Sequence, residues 1–151
     1  MKPGVATYVN ESNPDELGKL LPPLAVLQSL AAEIAARNSD ENMIGELDQL
    51  NAEFEIALQN KDYYTALKRD ESFHKIIVDK CDNPYLTNMT EMLQAHVRKL
   101  FFQKAIILTM DSVAEHGELV AALKRKDAQK AAAIARENWM RPIEEYLKTR
   151  N

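Results

Sequence analysis

From Asp15 to close to the C-terminus, apolar residues recur every three or four positions, the spacing that puts them on one side of an α-helix. In the first such segment, Asp15 to Arg37, the Pro22-Pro23 pair is expected to split off a short lead helix. A stronger helix over Leu24 to Arg37 follows, with Leu24, Leu27, Leu30, Ala31 and Ile34 as its stripe. Ser39 is the expected N-cap of the next helix, whose stripe reads Ile44, Leu47, Leu50, Phe54 and Leu58. Asn60-Lys61-Asp62 breaks that pattern and opens a helix from Tyr63 to Cys81, striped by Ala66, Leu67, Phe73, Ile76, Ile77 and Val78. In Cys81-Asp82-Asn83-Pro84 an Asn that can cap precedes a Pro suited to the first helical position. A long helix is expected from Pro84 to about Leu108. Ser112-Val113-Ala114-Glu115 has capping-box spacing for another, with His116, Leu119, Val120 and Leu123 on one face. Lys124-Arg125-Lys126 suits its C-terminal turn, and Asp127 caps a last helix to about Lys148. Val5 to Val9 is the one strand-like piece, and Asn10 to Pro14 reads as a turn or linker. The sum is an all-α chain, an antiparallel bundle of six or seven helices over residues 15–151, preceded by a separate segment over 1–14.

Polar residues that fall on the apolar stripes carry the functional signal. Asp70 and His74 stand one turn apart on one helix, and Ala66, Leu67 and Ile77 place both on or beside its buried face. His116 faces the core three, four and seven positions before Leu119, Val120 and Leu123. A core-facing carboxylate is costly unless a charge or a hydrogen bond meets it. Two readings follow: a buried Asp–His pair satisfied by hydrogen bonds, or an N/O metal site. The third histidine, His96, reads as a partly exposed polar residue, and Trp139 with Tyr63 and Tyr64 as packing or dimer-contact residues. Glu71 and Glu115 adjoin the Asp/His positions in sequence but turn away on a helix, so both read as solvated or as supporting groups.

Composition narrows the classes. A chain of 151 residues forms one domain with a real core, and only four Gly favour helix over sheet. The net charge of −4 gives no basic footprint for nucleic acid. The single Cys81 excludes an internal disulfide and suits a reducing cytoplasm. No apolar run approaches the ~20 residues that span a bilayer, and no signal-peptide core follows Met1.

Taken together, the order and spacing of several pieces carry a resemblance. They are Leu30-Ala31-Ala32-Glu33-Ile34-Ala35-Ala36-Arg37, Asp70-Glu71-Ser72-Phe73-His74, Asp82-Asn83-Pro84-Tyr85-Leu86, Glu115-His116, and Ala121 to Asp127. In this the chain resembles the FadR C-terminal (FCD) domain, the effector-binding half of many GntR-type transcriptional regulators, over about Asp15 to Leu147. Val5 to Val9 is similar to the closing wing strand of that family's N-terminal winged helix-turn-helix, the DNA-reading half that this chain lacks. The resemblance implies a dimerising helical bundle with a small-molecule pocket, often holding a divalent metal through an Asp and three His. Carried over, Asp70, His74 and His116 match three of those ligands, and the fourth His falls on Asn138. An Asn oxygen is a weaker ligand than imidazole for Zn²⁺ or Ni²⁺. Asn138 is then expected to make a weak fourth contact or to hydrogen-bond the effector, near a helix bend caused by Pro142. The family's effector-binding Arg has no counterpart in Pro22 to Gln28, which leaves Arg98 as the candidate anchor for an effector carboxylate.

The resulting expectation is a cytoplasmic, non-enzymatic sensor and homodimerisation domain. It would bind a small organic acid, with a divalent metal such as Zn or Ni, to control a DNA-binding domain. The alternatives are a metal-dependent hydrolase, since three ligands and an open position suit catalytic zinc, or a structural bundle with a vestigial pocket.

Overall fold

The computed structural model describes residues 14–103, 106 and 108–150. The expected strand Val5 to Val9 lies outside them. Six helices fill the described chain: α1 (Pro14–Arg37), α2 (Glu41–Gln59), α3 (Tyr63–Asp79), α4 (Pro84–Phe102), α5 (Met110–Lys124) and α6 (Ala128–Arg150). The all-α bundle is as expected, with three local differences.

First, Pro22 and Pro23 lie inside α1 and do not divide it. Each proline removes the hydrogen bond to the carbonyl four residues earlier. Those carbonyls belong to Gly18 and Lys19, both exposed, so water can take the place of the lost donors. Meanwhile Leu17, Leu21, Leu24 and Ala25 stay on one buried face and hold the helix in register across the pair. By length and composition α1 would pass as a membrane span; here its apolar face is turned into the bundle.

Second, the caps shift. Asp40, not Ser39, caps α2, accepting from the Met43 amide at 2.8 Å. Ser39 donates instead to the Leu123 carbonyl at 2.6 Å. Thr109, not Ser112, is the N-cap position of α5, and α4 ends at Phe102 rather than near Leu108. Ser112 is thus inside α5, and its hydroxyl is free to accept from Arg141. Asp62, Asn83 and Asp127 sit where the sequence puts them, each accepting from a first-turn amide.

Third, sequence neighbours are not always packing neighbours. Among the described residues, α1 runs along α6, the last helix, and not along α2. The two are antiparallel: Ser29 reaches the Ala132 carbonyl at 2.9 Å, while Leu17 to Ala25 pack with Trp139, Met140 and Ile143. Ala31, Ala32, Ala35 and Ala36 of α1 join Ala131 and Ala135 of α6 in the main core, so small side chains line this pairing. That core continues through Met43, Leu47, Phe73, Ile77, Leu86, Leu119 and Leu123. Cys81 closes the cluster, its thiol facing the Ala31 carbonyl at 3.2 Å and pushed up by burial to about 11, so it stays protonated.

The joints α2–α3 and α5–α6 are built alike. In Asn60-Lys61-Asp62 and Arg125-Lys126-Asp127 the lysine takes a left-handed backbone, φ 59° and 58°. The following Asp amide bonds back five residues, to Ala57 at 2.8 Å and to Ala122 at 2.9 Å, and the same Asp then caps the next helix. A left-handed conformation costs a non-glycine residue about 1 kcal/mol. Lys126 recovers that through its ammonium, which donates to Ser39; Lys61 is exposed, with no such contact. Lys61→Gly is therefore expected to stabilise the fold by about 0.5–1 kcal/mol. Lys126→Gly should bring no gain. Urea unfolding of the two variants beside the parent checks the contrast, and equal effects would refute it.

Candidate metal centre

Asp70 and His74 come from the middle of α3 and His116 from α5, and the fold brings all three together. They are 8%, 4% and 1% exposed, so water does little to stabilise charge there. Asp70 Oδ1 lies 3.4 Å from His74 Nε2 and 3.1 Å from His116 Nε2. The donor atoms of all three lie within 4.8 Å of one another. Two donors about 2.0–2.2 Å from one ion, at angles of 90–110°, stand about 3.0–3.5 Å apart, so both contacts have the spacing of ligands to a shared ion.

The state of His116 follows from its neighbours. Asn51 of α2 donates through Nδ2 to the Val113 carbonyl at 3.1 Å, which turns its Oδ1 toward His116 Nδ1 at 3.0 Å. Nδ1 therefore carries the ring proton, and in the neutral ring Nε2 presents a bare lone pair. Burial lowers the His116 pKa, only partly offset by the Asp70 carboxylate, and so favours that neutral ring. Nε2 is buried and forms no well-aligned hydrogen bond, although Asp70 Oδ1 is 3.1 Å away. A lone pair and a carboxylate held at that distance repel unless a proton or a metal cation sits between them. The residues present fit a metal ion on this ground.

For Asp70, burial alone would raise the pKa; the neighbouring His74 charge, with the remaining imidazole contacts, outweighs it and leaves the carboxyl below its usual range. Aromatic rings seal the cluster. Phe73 stacks on His116 at 4.1 Å between centroids, Phe54 lies 5.1 Å from it, and Trp139 packs 4.8 Å from His74.

Beside the cluster is a chamber of about 40 Å³, room for a water or two, bordered by Asp70, His74, Ser112, Asn138, Trp139 and Arg141. The FCD domain model matches residues 23–139 of this chain. The chain belongs to the FCD-domain family. The fold is also similar to a solved structure, E. coli McbR/YncC, with a TM-score of 0.79 at 20% identity, covering 93% of this chain and 68% of that one. No curated protein sequence matches the chain. An FCD domain is the effector-binding regulatory domain of GntR-type transcription regulators, non-enzymatic as a class and often metal-binding.

Within this FCD domain the other expected site residues fall unevenly. Asn138 borders the chamber, with its amide nitrogen donating to Glu115 at 2.7 Å. Among the described residues its Oδ1 has no hydrogen-bond partner. α6 continues through Pro142 to Arg150. Arg98 does not point into this core. It is half-exposed on α4, bonded through Nε to Glu71 at 3.1 Å, because its place one residue after the buried Val97 turns it outward. Glu115 is not solvated: its half-buried carboxylate receives Arg141 through both Nε and the guanidinium fork as well as Asn138. Glu71 likewise accepts from Gln94 and Arg98. His96 is exposed as expected, and Trp139 is buried.

Asn51 and Arg141 had not been singled out from the sequence. Asn51 lies four residues after Leu47 and three before Phe54, so it falls on the apolar stripe of α2, the same signal that marks Asp70. Arg141 follows Asn138 by three, on the same face. Burial works against its charge, and hydrogen bonds to Glu115 and Glu145 more than offset that. Removing the Asn51 contact in Asn51→Leu is expected to weaken Zn²⁺ binding about 10-fold or more while leaving the fold intact. Isothermal titration measures it, and a Zn²⁺ affinity equal to the parent's would rule out a role for Asn51 in setting His116.

Proposed function

We propose that this FCD domain holds a divalent metal ion, Zn²⁺ or Ni²⁺ by donor type, on Asp70, His74 and His116, and senses a small organic acid there. The observation that carries the reading is the bare, buried His116 Nε2 facing the Asp70 carboxylate at 3.1 Å. The metal would supply a Lewis-acid anchor for a carboxylate. The chain's own residues set the rest. Asn51 fixes which His116 nitrogen faces the site, Trp139 and Phe73 exclude water, and Asn138 Oδ1 remains for a weak fourth contact or for an effector hydroxyl.

A chamber of about 40 Å³ must widen to admit an acid. The side chains around it are tied between helices: Arg141 of α6 holds Glu115 and Ser112 of α5. An acid that binds better when α5 and α6 separate shifts the domain toward that geometry, which is all the coupling to a DNA-binding unit requires. The same ties favour a sensor over the hydrolase alternative, because Glu115, the carboxylate next to the ligand set, is committed to Arg141 and Asn138 and not poised toward a bound water.

Assembly as a homodimer belongs to this reading. Tyr85, Met89 and Met92 stand at i, i+4 and i+7 on α4 and are 78%, 47% and 60% exposed, an apolar stripe suited to a second copy.

Two outcomes are expected. A carboxylate effector at about 100 times its Kd should stabilise the metal-loaded domain by about 2.7 kcal/mol, seen as a raised melting temperature. Chelation or His116→Ala should remove that response, and Asn138→His should tighten Zn²⁺ binding. A response indifferent to both chelation and His116→Ala would sink the metal-anchored reading. Separately, light scattering should report a dimer that Met92→Asp shifts toward monomer; a parent protein that is monomeric at tens of micromolar would contradict the assembly.

A further inference from the structure

His74 borders a second, larger space on its other side. Between α3 and α4 lies an open cleft of about 510 Å³, within the range of small-molecule sites. Gln28 of α1 lines it, 4% exposed, and its amide has no hydrogen-bond partner among the described residues. With no protein partner, that amide is available to whatever occupies the cleft.

The charges of the cleft are also unevenly matched. Lys75 is paired with Asp79 at 2.8 Å and approaches Glu91 at 3.9 Å, and Arg69 is paired with Glu53 at 2.7 Å. Among the described residues Lys68 has no carboxylate within 4 Å; its ammonium lies 4.7 Å over the Tyr64 ring. Arg98 uses only Nε on Glu71, so both terminal amino groups of its fork are without a partner among the described residues. Val78 is the one aliphatic side chain of the lining.

We propose that this cleft is a ligand site in its own right, taking a small monoanionic carboxylic acid that carries a neutral hydrogen-bonding group. The carboxylate lies against the Arg98 fork, with Lys68 supplying the uncompensated charge, and the hydroxyl or amide of the ligand meets Gln28, whose amide both donates and accepts. Among the described lining residues a dianion finds no second uncompensated cation, and an apolar tail finds a single aliphatic side chain, Val78. The site goes beyond the metal-anchored reading, since neither the ion nor the chamber takes part in it. His74 is the side chain common to both spaces, so an acid in the cleft and a metal in the core sense each other's occupancy through that ring.

The test is a set of ¹⁵N-amide NMR titrations of the full chain, metal-loaded and metal-free, with glycolate, L-lactate, acetate and succinate. Glycolate and L-lactate should shift amides of α3 and α4 around the cleft saturably, with acetate about tenfold weaker for want of the hydroxyl and succinate no tighter than acetate. Arg98→Gln and Lys68→Gln, both at the surface, should each weaken glycolate about tenfold. Gln28→Leu should erase the preference for glycolate over acetate. Compared metal-free, His116→Ala and the parent should bind glycolate within about twofold of each other, since the substitution alters only the core site. Shifts confined to Asp70, His116 and Asn138 that vanish in His116→Ala would place the acid in the chamber, overturning the cleft site and leaving the metal-anchored reading intact. No saturable shift with any of the four acids up to about 50 mM would overturn the cleft site as well. Cleft binding in a protein that takes up no metal would uphold this site and defeat the other reading.

Discussion

A carboxylate buried between two imidazoles is the constraint around which the bundle is arranged. Asp70 cannot be stabilised by water, so its charge is tolerated only because His74 and His116 meet it from two helices. That requirement reaches outward. His116 must present one particular nitrogen, which requires Asn51 on α2, which in turn is oriented by the Val113 carbonyl on α5. Phe54, Phe73 and Trp139 then pack against the imidazoles and keep the dielectric low. The chain α3–α5–α2 is thereby joined through polar contacts at the point where an oily core would have been simpler to build. Apolar residues of similar volume are often at least as stable in such a place, so packing alone does not account for the cluster.

A second polar assembly links α5 to α6 a short way along. Glu115 receives Arg141 and Asn138, and Arg141 also holds Ser112 and Glu145. Each member is half-buried or buried, so the contacts are stronger than their surface equivalents and breaking one leaves another unsatisfied. The Asp70, His74 and His116 cluster and this network share the wall of one small chamber, so widening the chamber strains both.

Much of this was legible in the sequence, and the parts that were not share a physical reason. The helices follow from apolar spacing, and Asp70, His74 and His116 stand out because charged or polar groups on a buried stripe demand an explanation. The proline pair in α1 misleads because the local cost of two lost hydrogen bonds is visible in the sequence, whereas the buried face of Leu17, Leu21 and Leu24 that outweighs it exists only once α6 is in place. Ser39 and Ser112 misleads likewise: each has a capping residue's chemistry, and each hydroxyl is claimed by a distant partner, Leu123 or Arg141. Arg98 faces the α3–α4 cleft and not the core because one residue of helical phase separates it from Val97, a rotation that spacing alone resolves poorly. Pairing of α1 with α6 across the whole chain length is a tertiary fact with no local signature.

That pairing has a mechanical side. The half nearer the C-terminus of α1 brings together Ala31, Ala32, Ala35, Ala36, Ala131 and Ala135, side chains with no χ angles to rotate. A seam of leucines can absorb a displacement by changing rotamers; a seam of methyl groups has nothing to rearrange. Over that stretch a displacement of α6 can be taken up only by moving α1 with it, whereas the Leu17, Leu21 and Trp139 end of the same pairing keeps side chains that can change rotamer.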